Sequence, residues 1–438
     1  MQTVQTLLSA RYIVPVDTNN SVLEYHSIAI EDGRIIDVLP SSETGSRYSA
    51  KTHIDYDNHI LMPGLINAHT HAAMSLLRGI ASDIPLMEWL QNHIWPIEQK
   101  WADESFVHDG SELAIAEMLR GGTTCFNDMY FFPQVTARVA SSIGMRAVIG
   151  MIALEFPTAY ASSPDEYITK GLALFDEYKS DSLIRTVFAP HAPYTISDTT
   201  FTKLNSYANE LDIPIHIHLH ETQSEIETSL KEFNVRPLAR LDKLGLVNPN
   251  LLAVHMTQLT PEEIERVSEA GVTVIHCPES NLKLASGFCP SHELLQAGAR
   301  VIIGTDSCAS NDDLDMFSEI RTAALLAKGV SESATAFSAQ QAIRAATIDA
   351  ASALGLGSEI GSLEKNKSAD IIAVRCDSIE SQPMYDVHSH LVYSAHRSRV
   401  SDVFVAGRQL LRDRTLTTVS EDEIISKTEQ WSQKIKQH

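Results

Sequence analysis

Two histidines separated by one residue, His69-Thr70-His71, close the apolar run ILMPGLIN. On an extended strand residues i and i+2 share a face, so both imidazoles can reach one ion. A lone H-x-H arises by chance, and histidines at strand edges are common. A second cluster, His216-Ile217-His218-Leu219-His220-Glu221, repeats the alternation. A regular strand would put its three imidazoles on one face and Glu221 on the other. His216, deep in the run, suits the core, whereas His218, near the strand end, is the candidate ligand. A third signal is Asp306, which closes VIIGT. A carboxylate ending an apolar strand is costly to desolvate unless it is paired or metal-bound. Its plainer reading is a cap for the next helix.

The conjunction is more specific than its parts. His69, His71, His218 and Asp306 offer three imidazoles and one carboxylate, leaving a position for water as a catalytic zinc site requires. A structural site would be closed by four protein ligands, usually including cysteine. Cys125, Cys277, Cys289, Cys308 and Cys376 sit in no ligand pattern. The donors suit one divalent ion, zinc first, with iron or manganese as alternatives. Such an ion brings the pKa of a bound water near neutrality, so the chemistry is hydrolytic.

These residues need a scaffold that gathers strand ends. Eight apolar, β-branched runs alternate with helix-like stretches: Ile60–Asn67, Thr123–Asp128, Arg146–Ile152, Arg185–Pro190, Ile213–Leu219, Leu251–His255, Val272–His276 and Val301–Thr305. That alternation predicts a parallel (β/α)₈ barrel of the α/β class. In such a barrel the chemistry sits where strands end. Polar residues do appear there: Asp128, His191, Glu221, His255 and the segment His276–Asn281 join the candidate ligands. Thr260-Pro261-Glu262-Glu263 reads as a helix start with a capping box, and Gly271 as its stop.

Short β segments precede the barrel, and similar ones return at Ala369–Val374 and Val403–Leu411. Both ends are expected to form one small β-sandwich, residues 1–59 with 363–415, flanking a catalytic barrel of 60–362. Residues 416–438 read as a surface helix with a capping box from Ser420 to Glu423.

The 438 residues carry a formal net charge of −22, with pI near 5.2. So acidic a surface repels phosphate backbones, which argues against a nucleic-acid partner. Scattered cysteines without C-x-x-C favour reduced thiols and a cytoplasmic setting. The first residues lack the basic-then-apolar pattern of a signal peptide. No apolar run approaches the roughly 18 residues of a membrane span.

PGLINAHTHAAMSLLRGIASD, FAPHAPYT, HLHET, HCPESNLKLASG and GTDSCASNDDLDMF together resemble the amidohydrolase superfamily. More closely, they look like its methylthioadenosine/S-adenosylhomocysteine deaminases, relatives of the triazine hydrolases. The resemblance spans nearly the whole chain. It implies metal ligation by His69, His71, His218 and Asp306, a proton-shuttling Glu221 and a water-positioning His255. It also implies substrate contacts from Glu98, in WPIEQKW, and His191. The bridging lysine of two-metal members is missing at the end of strand four, which implies a single ion. Dimers are common among such relatives.

The expected reaction is hydrolytic deamination of an adenine nucleoside, 5′-methylthioadenosine foremost, to the inosine analogue and ammonia. Asp306 takes a proton from the attacking water, His255 orients it, and Glu221 protonates the ring nitrogen next to C6. The segment 78–101 is long enough to cover the mouth, where Glu98 would accept a ribose diol, and Trp89, Trp95 and Phe288 would stack on the purine or line a thioether pocket. The chain departs from the resemblance in places. Met151–Tyr160 has none of the arginines that hold an amino-acid tail, and Ser307 and Asp312 stand where relatives often have Gly and Asn. That tilts the expectation from S-adenosylhomocysteine towards methylthioadenosine or adenosine. Guanine or pterin deamination, triazine dechlorination and a non-catalytic binding protein are the alternatives. The nucleic-acid-editing zinc deaminases are excluded, because P-C-x-x-C is absent.

Overall fold

A computed structural model describes residues 1–436; Gln437 and His438, the end of the expected surface helix, lie outside the described residues. Eight parallel strands are hydrogen-bonded in chain order: Leu65–Thr70, Thr123–Asp128, Arg146–Ala153, Ile184–Pro190, Ile215–Leu219, Leu251–His255, Thr273–His276 and Arg300–Ile303. Bonds between the first strand and the loop after the eighth close the ring. Asp306 N donates to His69 O at 3.0 Å, Thr305 N to Asn67 Oδ1 at 3.0 Å, and Asn67 Nδ2 to Thr305 Oγ1 at 2.7 Å. Gly304 is required at this seam, since a Cβ there would lie 2.6 Å from His69 N. The interior is filled by Ile66, Cys125, Val148, Val187, Val254 and Ile302, and Ala350 and Leu354 plug the end away from the site.

The run Ile60–Asn67 is two strands rather than one. Tyr48–Pro63 belongs to the β-rich domain and pairs antiparallel with Ile371–Arg375, and after Gly64 the first barrel strand begins. Both halves are buried, so hydrophobicity runs unbroken through a change of sheet. That pairing also joins the chain ends. Eight strands, from Gln2–Ile13 to Thr415–Leu416, form one mixed sheet that wraps Leu8, Ile28, Ile35, Leu61, Ile371 and Phe404. A buried ion pair, Arg146 Nε to Asp370 Oδ2 at 2.9 Å, fastens this domain to the third barrel strand.

Helices begin where the caps predict. Thr260 and Glu263 form the reciprocal capping box of Pro261–Glu269. The last helix, Glu421–Lys436, is capped by Ser420 Oγ and packs Trp431 edge-on against Phe106. All five cysteines are free and buried. Among the described residues no helix is long and apolar enough to cross a membrane.

Candidate metal centre

The barrel brings the four candidate donors to one point, although not by strand alternation alone. The register breaks between Asn67 and Thr70, and His71 lies just past the strand end. Such an irregularity re-aims side chains; it leaves the His69 and His71 rings 4.8 Å apart and nearly perpendicular. His218 Nε2 lies 3.2 Å from His69 Nε2 and 3.3 Å from His71 Nε2. Asp306 Oδ1 lies 3.4 and 3.3 Å from the same two nitrogens. Donor atoms each about 2.0–2.1 Å from one tetrahedral zinc would lie roughly 3.3 Å apart, so these four separations suit a shared ion.

The protonation pattern tests the fit. His218 Nδ1 donates to His191 O at 2.7 Å, and His71 Nδ1 to Met129 O. His69 Nδ1 lies 2.9 Å from His216 Nε2. The backbone carbonyls thus hold protons on Nδ1 of His218 and His71, so their Nε2 lone pairs converge beside His69 Nε2 and Asp306, a set of donors suited to a shared cation. One divalent ion fits this donor set.

Glu221, His255, His191 and Glu98 line the same cavity, of about 130 Å³. Their placement depends on backbone that leaves the strand conformation. The fifth strand stops at Leu219, and His220 is left-handed at φ 54°. Alternation therefore ends before the expected His220/Glu221 pair: His220 turns away to accept from Leu238 N, and Glu221 enters the cavity. His255 (φ 75°) and Asp306 (φ 63°) are left-handed too. Such conformations cost about 1–2 kcal/mol each in a non-glycine residue.

Glu221 Oε2 lies 3.8 Å from His255 Nε2, and burial pushes its carboxyl up from the usual range. The His255 ring stacks on His218 at 5.5 Å and gives its Nδ1 proton to Asn281 Oδ1 at 2.8 Å. Ser280, the preceding residue, donates to Asp306 Oδ2 at 2.6 Å. One short helix, Pro278–Lys283, thus steadies two site residues at once. His191 is held neutral by burial, which takes its pKa down to about 3, helped by His71 and His69.

Glu98 sits at the other end of the cavity, on the helix Trp95–Trp101 of the covering segment. Burial pushes its carboxyl up to about 7 against the opposing pull of Tyr130 and His71. Tyr130 Oη donates to Glu98 Oε1 at 2.8 Å. Trp89 and Trp95 line the cavity as expected, but Phe288 does not; it is 52% exposed and turned away. Ser307 lines the cavity and caps the next short helix. Asp312 is left-handed at φ 78° and pairs with Lys283, tying the loops after strands seven and eight together.

The sequence reading gave no site role to four participants, although it marked the segment His276–Asn281 at a strand end. Tyr130, Ser280 and Asn281 act through partners distant in the chain, which no local spacing reports. His216 reads as core, and it is buried, yet it also orients His69.

Comparison with known proteins agrees with this geometry. The amidohydrolase family matches residues 60–410. A 5-methylthioadenosine/S-adenosylhomocysteine deaminase of Saccharophagus degradans is 49% identical over 429 residues, 98% of this chain and 96% of that protein. One of Aquifex aeolicus is 39% identical over 408 residues, 93% and 94% of the two chains. The crystal structure of an adenosine deaminase from Xanthomonas campestris with bound zinc superposes with TM-score 0.99 at 50% identity, covering 100% of both chains. In fold alone, a zinc-complexed atrazine chlorohydrolase of Arthrobacter aurescens is similar at TM-score 0.90 and 24% identity, over 98% and 100%. The chain belongs to the amidohydrolase family.

Proposed function

We propose that this protein is a metal-dependent deaminase that converts an adenine nucleoside, 5′-methylthioadenosine foremost, into the inosine analogue and ammonia. The observation that carries the reading is one cavity with the donor set and a burial-raised carboxyl, Glu221, at one end and Glu98 at the other. The relatives' names point to the same substrate class.

His69, His71, His218 and Asp306 would hold one divalent ion, which would supply Lewis acidity at the point of attack. His255, with its Nδ1 proton fixed on Asn281, keeps Nε2 facing the cavity to orient the water. Asp306 accepts a proton from that water as its oxygen adds to C6. Glu221, whose burial favours the protonated form, gives its proton to the neighbouring ring nitrogen. The adduct's hydroxyl proton then returns to Glu221, and the proton on Asp306 leaves with the amino group as ammonia. His191 contacts the purine, and Glu98 accepts the ribose hydroxyls. Atoms and protons balance over the cycle.

A cytoplasmic, homodimeric enzyme without nucleic-acid or membrane partners completes the proposal. The five unpaired cysteines and the net charge of −22 support the setting, and light scattering reads the assembly. Ammonia release and the purine absorbance change on methylthioadenosine, adenosine, adenine and guanine test the reaction. Turnover of the two nucleosides is expected. Guanine as the preferred substrate would overturn the reading in favour of another heterocycle.

A further inference from the structure

Glu221 is aimed by its backbone more than by its side chain. It follows His220, whose left-handed φ of 54° turns the chain out of the fifth strand and into the cavity. A residue with a β-carbon keeps such a conformation only where its surroundings hold it. Two side chains do so here, and neither lines the metal cavity. Glu225 Oε1 accepts from His220 N at 3.1 Å, and Glu225 Oε2 from Glu221 N at 2.7 Å. On the other side Thr257 Oγ1 donates to Glu221 O at 2.6 Å, and Thr257 N to His220 O at 3.0 Å. The N–H and C=O groups of both residues are thus tied down. The Glu221 carboxyl is held more loosely, with Ser286 Oγ at 3.5 Å and His255 Nε2 at 3.8 Å.

Helix capping does not account for Glu225. Thr222-Gln223-Ser224-Glu225 has the sequence of a capping box, and Thr222 Oγ1 does accept from Glu225 N at 3.3 Å. In that motif the glutamate returns to the backbone N–H of the cap residue. Glu263 does this on Thr260 N, at 2.9 Å. Glu225 instead reaches past Thr222 to the two residues before it. It is 7% exposed, and burying a carboxyl is costly unless its oxygens are bonded. Both oxygens are engaged by this one turn. Thr257 arrives by a similar departure, since His255 and Met256 before it are left-handed at φ 75° and 50°.

We propose that Glu225 and Thr257 are positioning residues that clamp the His220–Glu221 turn and so fix the direction from which Glu221 delivers its proton. The role of Glu221 rests on the deaminase reading above, whereas the clamp on its backbone does not depend on the substrate.

The test is a double-mutant cycle on the metal-loaded, full-length enzyme, with adenosine as substrate. Glu225→Gln keeps the size of the side chain, but its amide nitrogen has no lone pair for one of the two N–H groups. It is expected to lower kcat about 10- to 100-fold, the scale of loss when a reacting group is misplaced by about 1 Å. KM is expected to stay within about threefold and metal content to match the parent. Added to Glu221→Gln, the same change is expected to alter the residual kcat by less than about twofold, because residues that act as one unit are not additive. Thr257→Val is expected to behave alike, and it carries the cycle if Glu225→Gln does not fold. Full kcat in the single variants, or the same fold-loss with and without the Glu221 carboxyl, overturns the proposal; the second result is what a merely structural role would give. Crystal structures of the variants separate this failure from failure of the reaction. If the parent deaminates no nucleoside, the reaction is wrong, and the position of Glu221 then decides the clamp alone. Glu221 displaced from the cavity supports it, and Glu221 unmoved overturns it.

Discussion

Asn281 Oδ1 accepts the Nδ1 proton of His255 at 2.8 Å, and this bond decides which imidazole nitrogen faces the reaction. With the proton held on Nδ1, Nε2 points towards Glu221 and the donor set. Partners that fix a ring's tautomer are commonly worth 10- to 100-fold in activity. Asn281→Leu is therefore expected to lower kcat by about that factor while metal content stays the same. Asn281→Asp keeps an acceptor and adds negative charge, so it should retain more activity than Asn281→Leu and shift the pH–rate profile upward. Metal analysis beside the two profiles checks both expectations. Equal activity in all three proteins would remove Asn281 from the account.

Glu98 predicts a pH dependence of binding. Burial raises its carboxyl to about 7, and the ribose diol needs the ionised form as acceptor. KM for adenosine should therefore rise as pH falls through 7, while KM in Glu98→Gln stays flat and high. The stability sign runs the other way. The folded state holds this proton up to about 7, whereas the unfolded chain releases it near 4.5, so ionising Glu98 weakens the fold as pH rises between those values. Glu98→Gln is thus expected to be at least as stable as the parent at pH 8, by thermal melting.

The ion pair between Arg146 and Asp370 predicts the largest single loss of stability. Both groups are buried, and Asp370 Oδ1 also accepts from Ser368 Oγ and Ala406 N. Asp370→Ala leaves a buried guanidinium without its carboxylate, a defect that costs about 3–5 kcal/mol. Chemical denaturation should show that loss. Arg146→Met with Asp370→Leu, which removes both charges, should recover much of it.

Much of the site was legible because strand ends in a barrel are marked by a change from apolar to polar. His69, His218, His255 and Asp306 each stand at such a change, and the structure brings all four to one cavity or its metal point. What escaped depended on geometry that periodicity does not encode. The run Ile60–Asn67 crosses from one sheet to another without a polar break, so hydrophobicity alone does not separate its first half from the barrel. Strand alternation placed Glu221 opposite His218, whereas one left-handed residue, His220, reverses that relation. Tyr130 and Asn281 gain their roles from partners 32 and 26 residues away, which only folding reveals. Phe288 looked like a stacking residue by type alone, and type alone does not set direction.

The central claim is that Glu221 moves the proton that makes C6 reactive, beside a metal held by residues that Glu221 does not touch directly. The most direct measurement is ammonia release from 5′-methylthioadenosine by metal-loaded enzyme and by Glu221→Gln at equal metal content. The account predicts turnover in the first and a loss of at least about 100-fold in kcat in the second, since a positioned general acid contributes on that order or more. A fully active Glu221→Gln protein carrying its metal would contradict it.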